Sequence, residues 1–348
     1  MPVFVWRAKS FALVFLFYPA LAINSLWRDE VSWIIEKAIS PEIIEHAWRK
    51  SRNDNAVWRP GISRREMEKR FVFHIMALAE DLAGGSYTPD PVRRFSINKG
   101  DGKTRMITAL SLRDKIAQRA VLSVIEPYGE QLFHPDSYAY RPGRNIDNVM
   151  DRIQRFISLG FLWAVSTDIM NCFDNIPQGR LLTMVSELIQ DDSALQLIEK
   201  WVSGSGAHGK LFFRSRRGIP QGAVISPFLC NLYLTPLDNM LSSHGIHFVR
   251  YADNILIMTK TRKEAVSACT FLESRVRALD LVLNPQKTEV FHISDGYSFL
   301  GRDIYPCAAR QVESCRARHP DTLIDFADHF DRLRRFPLAD SDVRNFNT

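Results

Sequence analysis

Two aspartates stand where packing alone gives them no purpose. Asp168 ends the apolar run Trp163-Ala164-Val165-Ser166-Thr167, and Asp253 sits inside Val249-Arg250-Tyr251-Ala252-Asp253-Asn254-Ile255-Leu256-Ile257. The first run reads as a buried strand and the second as a hairpin with Asp253 at its tip. Taken singly, a strand-end Asp is commonly a turn former or a cap. Brought side by side, two such carboxylates could bridge two Mg²⁺ ions, which take oxygen ligands. Such a pair of ions would activate an attacking 3′-hydroxyl and stabilise a leaving pyrophosphate. Between the aspartates lies Arg217-Gly218-Ile219-Pro220-Gln221-Gly222-Ala223-Val224-Ile225-Ser226-Pro227. Gly218 and Gly222 would let the backbone approach a ligand closely, Gln221 offers an amide to a base or sugar, and Pro227 opens a helix. The loop HPDSYAYRPGRN presents Arg141 and Arg144, which suit template phosphates or are ordinary surface charges.

The elements that must position these residues follow from periodicity and turn signals. Residues 29–50 read as helices, with Pro41 starting the second. Residues 63–83 carry Met67, Phe71, Ile75, Leu78 and Leu82 near one face, and Gly84-Gly85 stops them. Extended runs at Val92–Ile97 and Arg105–Thr108 flank Lys99-Gly100-Asp101-Gly102, a hairpin signal. Helices are expected over 111–127, 146–159, 178–203, 226–241 and 262–280. Strands are expected at Phe161–Thr167, Leu211–Arg214 and Lys287–His292, with a hairpin over His247–Thr259. Helices alternating with hairpins indicate an α+β fold and exclude a doubly wound parallel sheet.

Composition sets outer bounds. The chain has 348 residues, of which 46% are apolar and 24% charged, which excludes disorder and collagen and leaves room for one large catalytic unit. A net charge of +6 is weak support for a polyanionic partner. The five cysteines (Cys172, Cys230, Cys269, Cys307 and Cys315) are scattered and form neither a disulfide framework nor a zinc ribbon, so reduced cytoplasmic thiols are expected. Arg7 and Lys9 precede an apolar run from Phe11 to Ile23, which is similar to a short signal peptide and too short to span a bilayer comfortably; a buried helix is the plainer reading. A cytoplasmic protein without a membrane partner is expected.

The three segments around Asp168, Gln221 and Asp253 occur in the order of motifs A, B and C of reverse transcriptases, and together they resemble them. YTPDPVRRFSINKGDGKTRMITALSLRDKIAQR (87–119) and SYAYRPGRNIDN (137–148) resemble the fingers segments of group II intron-type enzymes. LNPQKTE (283–289) resembles motif D, and Phe299-Leu300-Gly301 resembles the primer grip, motif E. The likeness covers roughly residues 43–303. It implies a right-hand polymerase palm and fingers with an abbreviated helical thumb: a helical extension over 1–85, fingers and palm over 86–303, and a thumb-like tail over 304–348. It also implies addition of dNTPs to a DNA primer on an RNA template, with a cognate structured RNA as a further partner. Position by position, Asp168, Asp253 and the Ile169 carbonyl would hold Mg²⁺ or Mn²⁺. Phe173, five residues after Asp168, would sit beneath the sugar and clash with a 2′-hydroxyl, or serve core packing. Lys103 and Arg105, with Lys99 as the alternative lysine, would hold the triphosphate. Gln221 would touch the nucleotide or template, and Gly301 would belong to the primer grip. Lys287 would give a proton to pyrophosphate, or be a solvated lysine at a strand start.

The sequence departs from the family pattern at the hairpin tip, where Asn254 replaces the second acid. A neutral amide oxygen is a weaker ligand for a hard cation, so reduced or metal-shifted activity is expected, with Asn254 still among the catalytic positions. Only residues 304–348 follow the primer grip. The expectation is a free-standing group II-like enzyme, either a truncated element or one adopted by its host for antiviral defence or CRISPR spacer acquisition. The alternatives are a catalytically weakened RNA-binding protein and a template-independent nucleotidyl transferase.

Overall fold

A computed structural model describes residues 32–98, 104–203 and 217–305. The chain divides into two compact units, and each takes two stretches of sequence. The first uses residues up to Pro127 and Gln178–Ser226; the second uses Tyr128–Pro177 and the residues from Pro227 onward. The single block expected over 86–303 is therefore shared between two units, and the expected break at 85/86 falls inside the first. Periodicity marks where helices lie, but not which distant segments pack together.

In the first unit, α1 (Trp33–Ala38) starts where Ser32 accepts the Ile35 N–H, and α2 (Pro41–Ser51) starts on its proline. A helix expected over 63–83 is two helices. Ser63 and Glu66 form a capping box on α3 (Arg64–Lys69), and the backbone turns at Arg70 before α4 (Phe71–Ala83). β1 (Arg93–Asn98) and β2 (Thr104–Ala109) pair antiparallel from Arg93 opposite Ala109 to Asn98 opposite Thr104. α5 (Leu112–Leu132) passes into the second unit at Pro127. α6 (Ile146–Ser158) belongs to the second unit and begins on an Asn145–Asn148 capping box. Back in the first unit are α8 (Gln178–Ile189) and α9 (Asp192–Val202). Asp191 caps α9 through the Ala194 N–H and also accepts the Ser32 hydroxyl at 2.6 Å, which ties α1 to α9.

The second unit is built on a four-stranded antiparallel sheet. Its strands are β3 (Trp163–Asp168), β4 (His247–Tyr251), β5 (Asn254–Thr259) and β6 (Glu289–His292), in the order β4-β5-β3-β6. A one-turn helix α7 (Cys172–Asn175) follows β3, α10 (Ser226–Ser243) precedes β4, and α11 (Arg262–Ala278) follows β5. Side chains alternate across a strand, so Ala164, Leu256, Met258 and Val249 share one face, where they form a core with Val149, Ile153 and Phe156 of α6. α11 packs on β3, β5 and β6. A small hairpin of β7 (Tyr297–Phe299) and β8 (Arg302–Ile304) ends the described residues. The α+β class expected from the sequence is the observed one. The expected strand at Leu211–Arg214, the hairpin tip with Lys99 and Lys103, Cys307 and Cys315, the N-terminal apolar run and nearly all of the thumb-like tail lie outside the described residues.

Candidate active site

The central strand β3 delivers Asp168 to its C-terminal end, and the register does the rest. Asp168 pairs directly with Asn254, the first residue of β5, and Tyr251 pairs with Asn254 across the turn. Ala252 and Asp253 are thus the two central residues of a tight hairpin loop. Ala252 has φ +58°, a left-handed conformation that L-residues adopt at a cost of about 1–2 kcal/mol. The Ile169 N–H donates to the Asp253 carbonyl at 3.0 Å. Asp168, Ile169 and Asp253 are therefore neighbours.

Asp168 is buried, and its two carboxylate oxygens differ. Oδ2 accepts Lys287 Nζ at 2.5 Å, whereas Oδ1 is buried and has no hydrogen-bond partner. An unpartnered buried carboxylate oxygen costs about 1–3 kcal/mol or more, a cost that a bound cation or water would relieve. Lys287 is exposed over 59% of its side chain and stands on a loop closed by Asn284, whose carbonyl accepts the Lys287 N–H. Asn254 sends its amide Nδ2 to Asp253 Oδ1 at 3.3 Å and to the Tyr251 carbonyl at 3.4 Å. It therefore stands beside the Asp253 carboxylate as a donor, where a second acid would repel. Among the described residues no group of three Asp, Glu, His or Cys side chains gathers to hold a metal. The donor set is two carboxylates and a backbone carbonyl, all hard oxygens. That suits Mg²⁺, which binds through one or two carboxylates and completes its shell with water and substrate phosphates.

Phe173 is 8% exposed and meets Tyr140 edge to face, with ring centroids 6.4 Å apart. Tyr140 was not singled out from the sequence, yet its ring is half exposed and its φ is +62°. A bulky residue held left-handed is an outlier that points to function. Gly301 follows Leu300 in the loop joining β7 to β8. Both have positive φ, +54° and +73°, as a type I′ turn requires.

The two arginines of the HPDSYAYRPGRN loop are placed against the protein itself. Arg141 is buried, makes a two-pronged pair with Glu130 at 2.8–3.0 Å, and donates to the His134 and Ser137 carbonyls at 2.7 Å. Arg144 is half buried, braces the same loop through the Pro135 and Ser137 carbonyls, and lies over the Tyr138 ring. The loop's Gly and Pro signalled exposure, but its arginines turn inward to satisfy carbonyls that no ladder serves.

In the first unit, Arg105 and Gln221 meet. Arg105 Nε donates to Gln221 Oε1 at 2.5 Å, and the Thr108 N–H donates to the Gln221 carbonyl at 2.7 Å. Gly222 has φ +105°, and a Cβ there would lie 2.6 Å from the Thr108 carbonyl oxygen. Its close approach is thus to the chain's own β2; the ligand expected beside it is not what demands a glycine. Gln118, buried on α5, accepts the Val224 and Ile225 N–H groups at 2.9 and 3.4 Å and holds the end of this loop.

Residues 97–304 match the family described as reverse transcriptase (RNA-dependent DNA polymerase). The chain belongs to that family. It is 28% identical to Protein YkfC of Escherichia coli K12 over 318 residues, covering 78% of this reverse transcriptase and 83% of YkfC. It is 33% identical over 177 residues to the group II intron-encoded protein LtrA of Lactococcus lactis subsp. cremoris. That match covers 51% of this chain and 29% of LtrA, so the chain spans less than a third of that relative. Among solved structures, apo telomerase of Candida tropicalis, truncated from its C-terminal domain, aligns with a TM-score of 0.49 at 15% identity. That alignment covers 63% of this chain and 54% of the telomerase chain. The group II intron-like branch read from the motifs agrees with the LtrA likeness. No helix among the described residues is long and apolar enough to cross a membrane.

Proposed function

We propose that this reverse transcriptase extends a DNA primer with dNTPs on an RNA template, using two Mg²⁺ ions held by Asp168, Asp253 and the Ile169 carbonyl. The observation that carries the reading is the strand register, which sets Asp168, with its unpartnered buried oxygen, beside the turn of Asp253. When bound, the ions would supply activation of the 3′-hydroxyl and charge stabilisation on the leaving pyrophosphate. The protein's own groups divide the remaining work. Phe173, braced by Tyr140, would exclude a ribose 2′-hydroxyl. Arg105, with Lys103, would neutralise the triphosphate, and Gln221 would orient Arg105 as well as reach the nucleotide. Lys287 would leave Asp168 as the site fills and give its proton to pyrophosphate. Gly301 would shape the turn against which the primer rests.

A second reading, an RNA-binding protein with weakened turnover, draws on Asn254. Primer extension on poly-rA/oligo-dT, with Mg²⁺ and separately with Mn²⁺, tests both. Extension by the wild type that Asp253→Ala abolishes is the expected result, with Asn254→Asp improving the response to Mg²⁺. Absence of extension from the wild type together with activity from Asn254→Asp would favour the second reading. Extension that survives Asp253→Ala would refute the metal assignment. Product complementary to the template excludes template-independent transfer.

A further inference from the structure

The deepest charged group in the second unit is not in the proposed chemistry. Arg250 is 0% exposed, and so are its partners Asp238 and Asn231 on α10. Arg250 lies in β4 with its side chain on the sheet face opposite Val249. Its Nε and Nη2 donate to the two Asp238 oxygens at 2.7 and 2.6 Å. Its Nη1 donates both to Asn231 Oδ1 at 2.9 Å and to the Ala252 carbonyl at 3.0 Å. Asn231 then uses its other end: Nδ2 donates to the Ala139 carbonyl at 2.8 Å. Only one orientation of the amide satisfies both neighbours, because the guanidinium offers donors alone and the carbonyl accepts alone. Asn231 and Asp238 are seven residues apart, two helical turns, and so stand on one face of α10.

The two backbone points reached by this chain lie at, or directly before, two of the left-handed residues. Ala252, whose carbonyl Arg250 takes, has φ +58° and precedes Asp253; Ala139, whose carbonyl Asn231 takes, precedes Tyr140 with φ +62°. Strained residues of this kind persist only where their surroundings over-determine them. Here one buried network does so at both places. The backbone of Arg250 adds to it: its N–H donates to the Asp136 carbonyl at 2.8 Å, and its carbonyl accepts the Tyr138 N–H at 2.9 Å.

We propose that Arg250 and Asn231 are positioning residues of the polymerase site: the buried chain Asp238–Arg250–Asn231 holds the Asp253 turn and the Tyr140 shelf over Phe173 as one rigid piece. The proposal rests on the reading of Asp253 as a metal ligand and of Phe173 as the sugar discriminator. Metal affinity and sugar choice are thereby coupled through Asn231, a residue that touches neither metal nor nucleotide.

Breaking the Arg250–Asp238 pair would leave a buried charge uncompensated and endanger folding, so the test is made at Asn231, which leaves that pair intact. Asn231→Ala removes both amide contacts. Asn231→Asp keeps an acceptor for Arg250 and removes the donor to Ala139. Each is compared with the wild type by thermal unfolding, by hydrogen exchange at the Ile169 amide, by Mn²⁺ binding followed by electron paramagnetic resonance, and by the dNTP-to-rNTP incorporation ratio. For Asn231→Ala, the Ile169 amide should exchange faster without metal, Mn²⁺ should bind about 10–100-fold more weakly, and sugar discrimination should fall. For Asn231→Asp, Mn²⁺ binding should stay near the wild-type value while discrimination falls. Unchanged Ile169 exchange and Mn²⁺ affinity in a folded Asn231→Ala protein would overturn the proposal. Uniformly faster exchange at all amides would do the same, since it marks a merely structural role. If Asn231→Ala does not fold, Asn231→Asp decides: unchanged sugar discrimination in a folded Asn231→Asp protein refutes the proposal. Failure of the underlying metal reading looks different, because Asp253→Ala would then leave Mn²⁺ binding unchanged while the metal-free Ile169 exchange still reports on the network.

Discussion

Replacing Gly222 by alanine should damage the first unit more than the same change at Gly61, Gly84, Gly85 or Gly179. The added Cβ would lie 2.6 Å from the Thr108 carbonyl oxygen and 3.4 Å from Ile107 Cγ2. Carbon–oxygen contacts in sheets begin near ~3.3 Å, so β2 must retreat by about 0.7 Å. The offending atom is backbone and cannot rotate away. The same movement pulls at the Thr108 N–H, which donates to the Gln221 carbonyl at 2.7 Å. A bond stretched to about 3.4 Å is beyond the useful range for N–H···O, at a loss of about 0.5–1.5 kcal/mol. The φ of +105° adds strain that alanine cannot avoid, about 1–3 kcal/mol. The sum is about 2–4 kcal/mol, a large part of the ~5–15 kcal/mol that holds a typical domain. Because Arg105 leans on Gln221, the KM for dNTP should rise about tenfold, within the worth of a hydrogen bond to a charged group.

Urea unfolding followed by circular dichroism reads the stability, and steady-state primer extension reads the KM. The control is Gly85→Ala, where φ is +67° and nothing lies within 4 Å of the added Cβ. It carries strain without a clash and should cost only about 1–2 kcal/mol, with KM unchanged. If Gly222→Ala were no more harmful than Gly85→Ala, the contact with Thr108 would not constrain the loop, and the account of this glycine would be refuted.

Phe173→Ala should let rNTP compete, lowering the dNTP preference by about tenfold or more through relief of the clash with the 2′-hydroxyl; unchanged preference in single-nucleotide incorporation would return Phe173 to a packing role. Lys287→Gln should lower kcat by about 10²-fold, the range of general acid catalysis, with little change in dNTP KM. Pre-steady-state incorporation checks this, and a change confined to KM would contradict proton donation. Asp114 makes a pH prediction: burial raises its carboxyl to about 6 from the ordinary 3.8, although the Tyr87 hydroxyl and the Asp90 N–H donate to it and Arg113 lies nearby. The folded state therefore binds this proton more tightly than the unfolded one, so its stabilisation is complete below about pH 4 and is lost as pH rises through about 6. At about 1.4 kcal/mol per decade, the wild-type stability relative to Asp114→Asn should fall by about 3 kcal/mol between those limits. A constant difference across that interval, by urea unfolding, would refute the assignment.

What the sequence disclosed depended on whether a residue's partner is local. Strand ends, turns and caps are written in short windows, so the hairpin at Ala252-Asp253 and the strand ending at Asp168 were legible, with boundaries off by a residue or two. The split of the helix over 63–83 at Arg70 was not, because a capping box at Ser63 and apolar spacing fit one helix as well as two. Nor was the division into two interleaved units, which depends on packing between segments far apart in the chain. The same distinction separates the charges. Asp168 and Arg250 are both single charges in apolar strands, and nothing adjacent tells them apart. Asp168 keeps an oxygen without a partner, as a ligand site requires, whereas Arg250 has its partners on α10. Arg141 and Arg144 illustrate the same point: apart from Glu130, their acceptors are carbonyls of their own loop, and a carbonyl carries no mark in a sequence. One readable sign did exist: Asn231 and Asp238 are polar residues spaced by seven in the helix Ser226–Ser243, among Phe228, Leu229, Leu232, Leu234 and Leu237. Polar residues repeated on the buried face of a helix must meet a partner there or lose stability, and Arg250 is the charge within reach of both. Inward polar pairs on one element and a lone buried charge on another are therefore the sequence pattern by which a second layer of site residues can be sought, once a candidate site turn has been found.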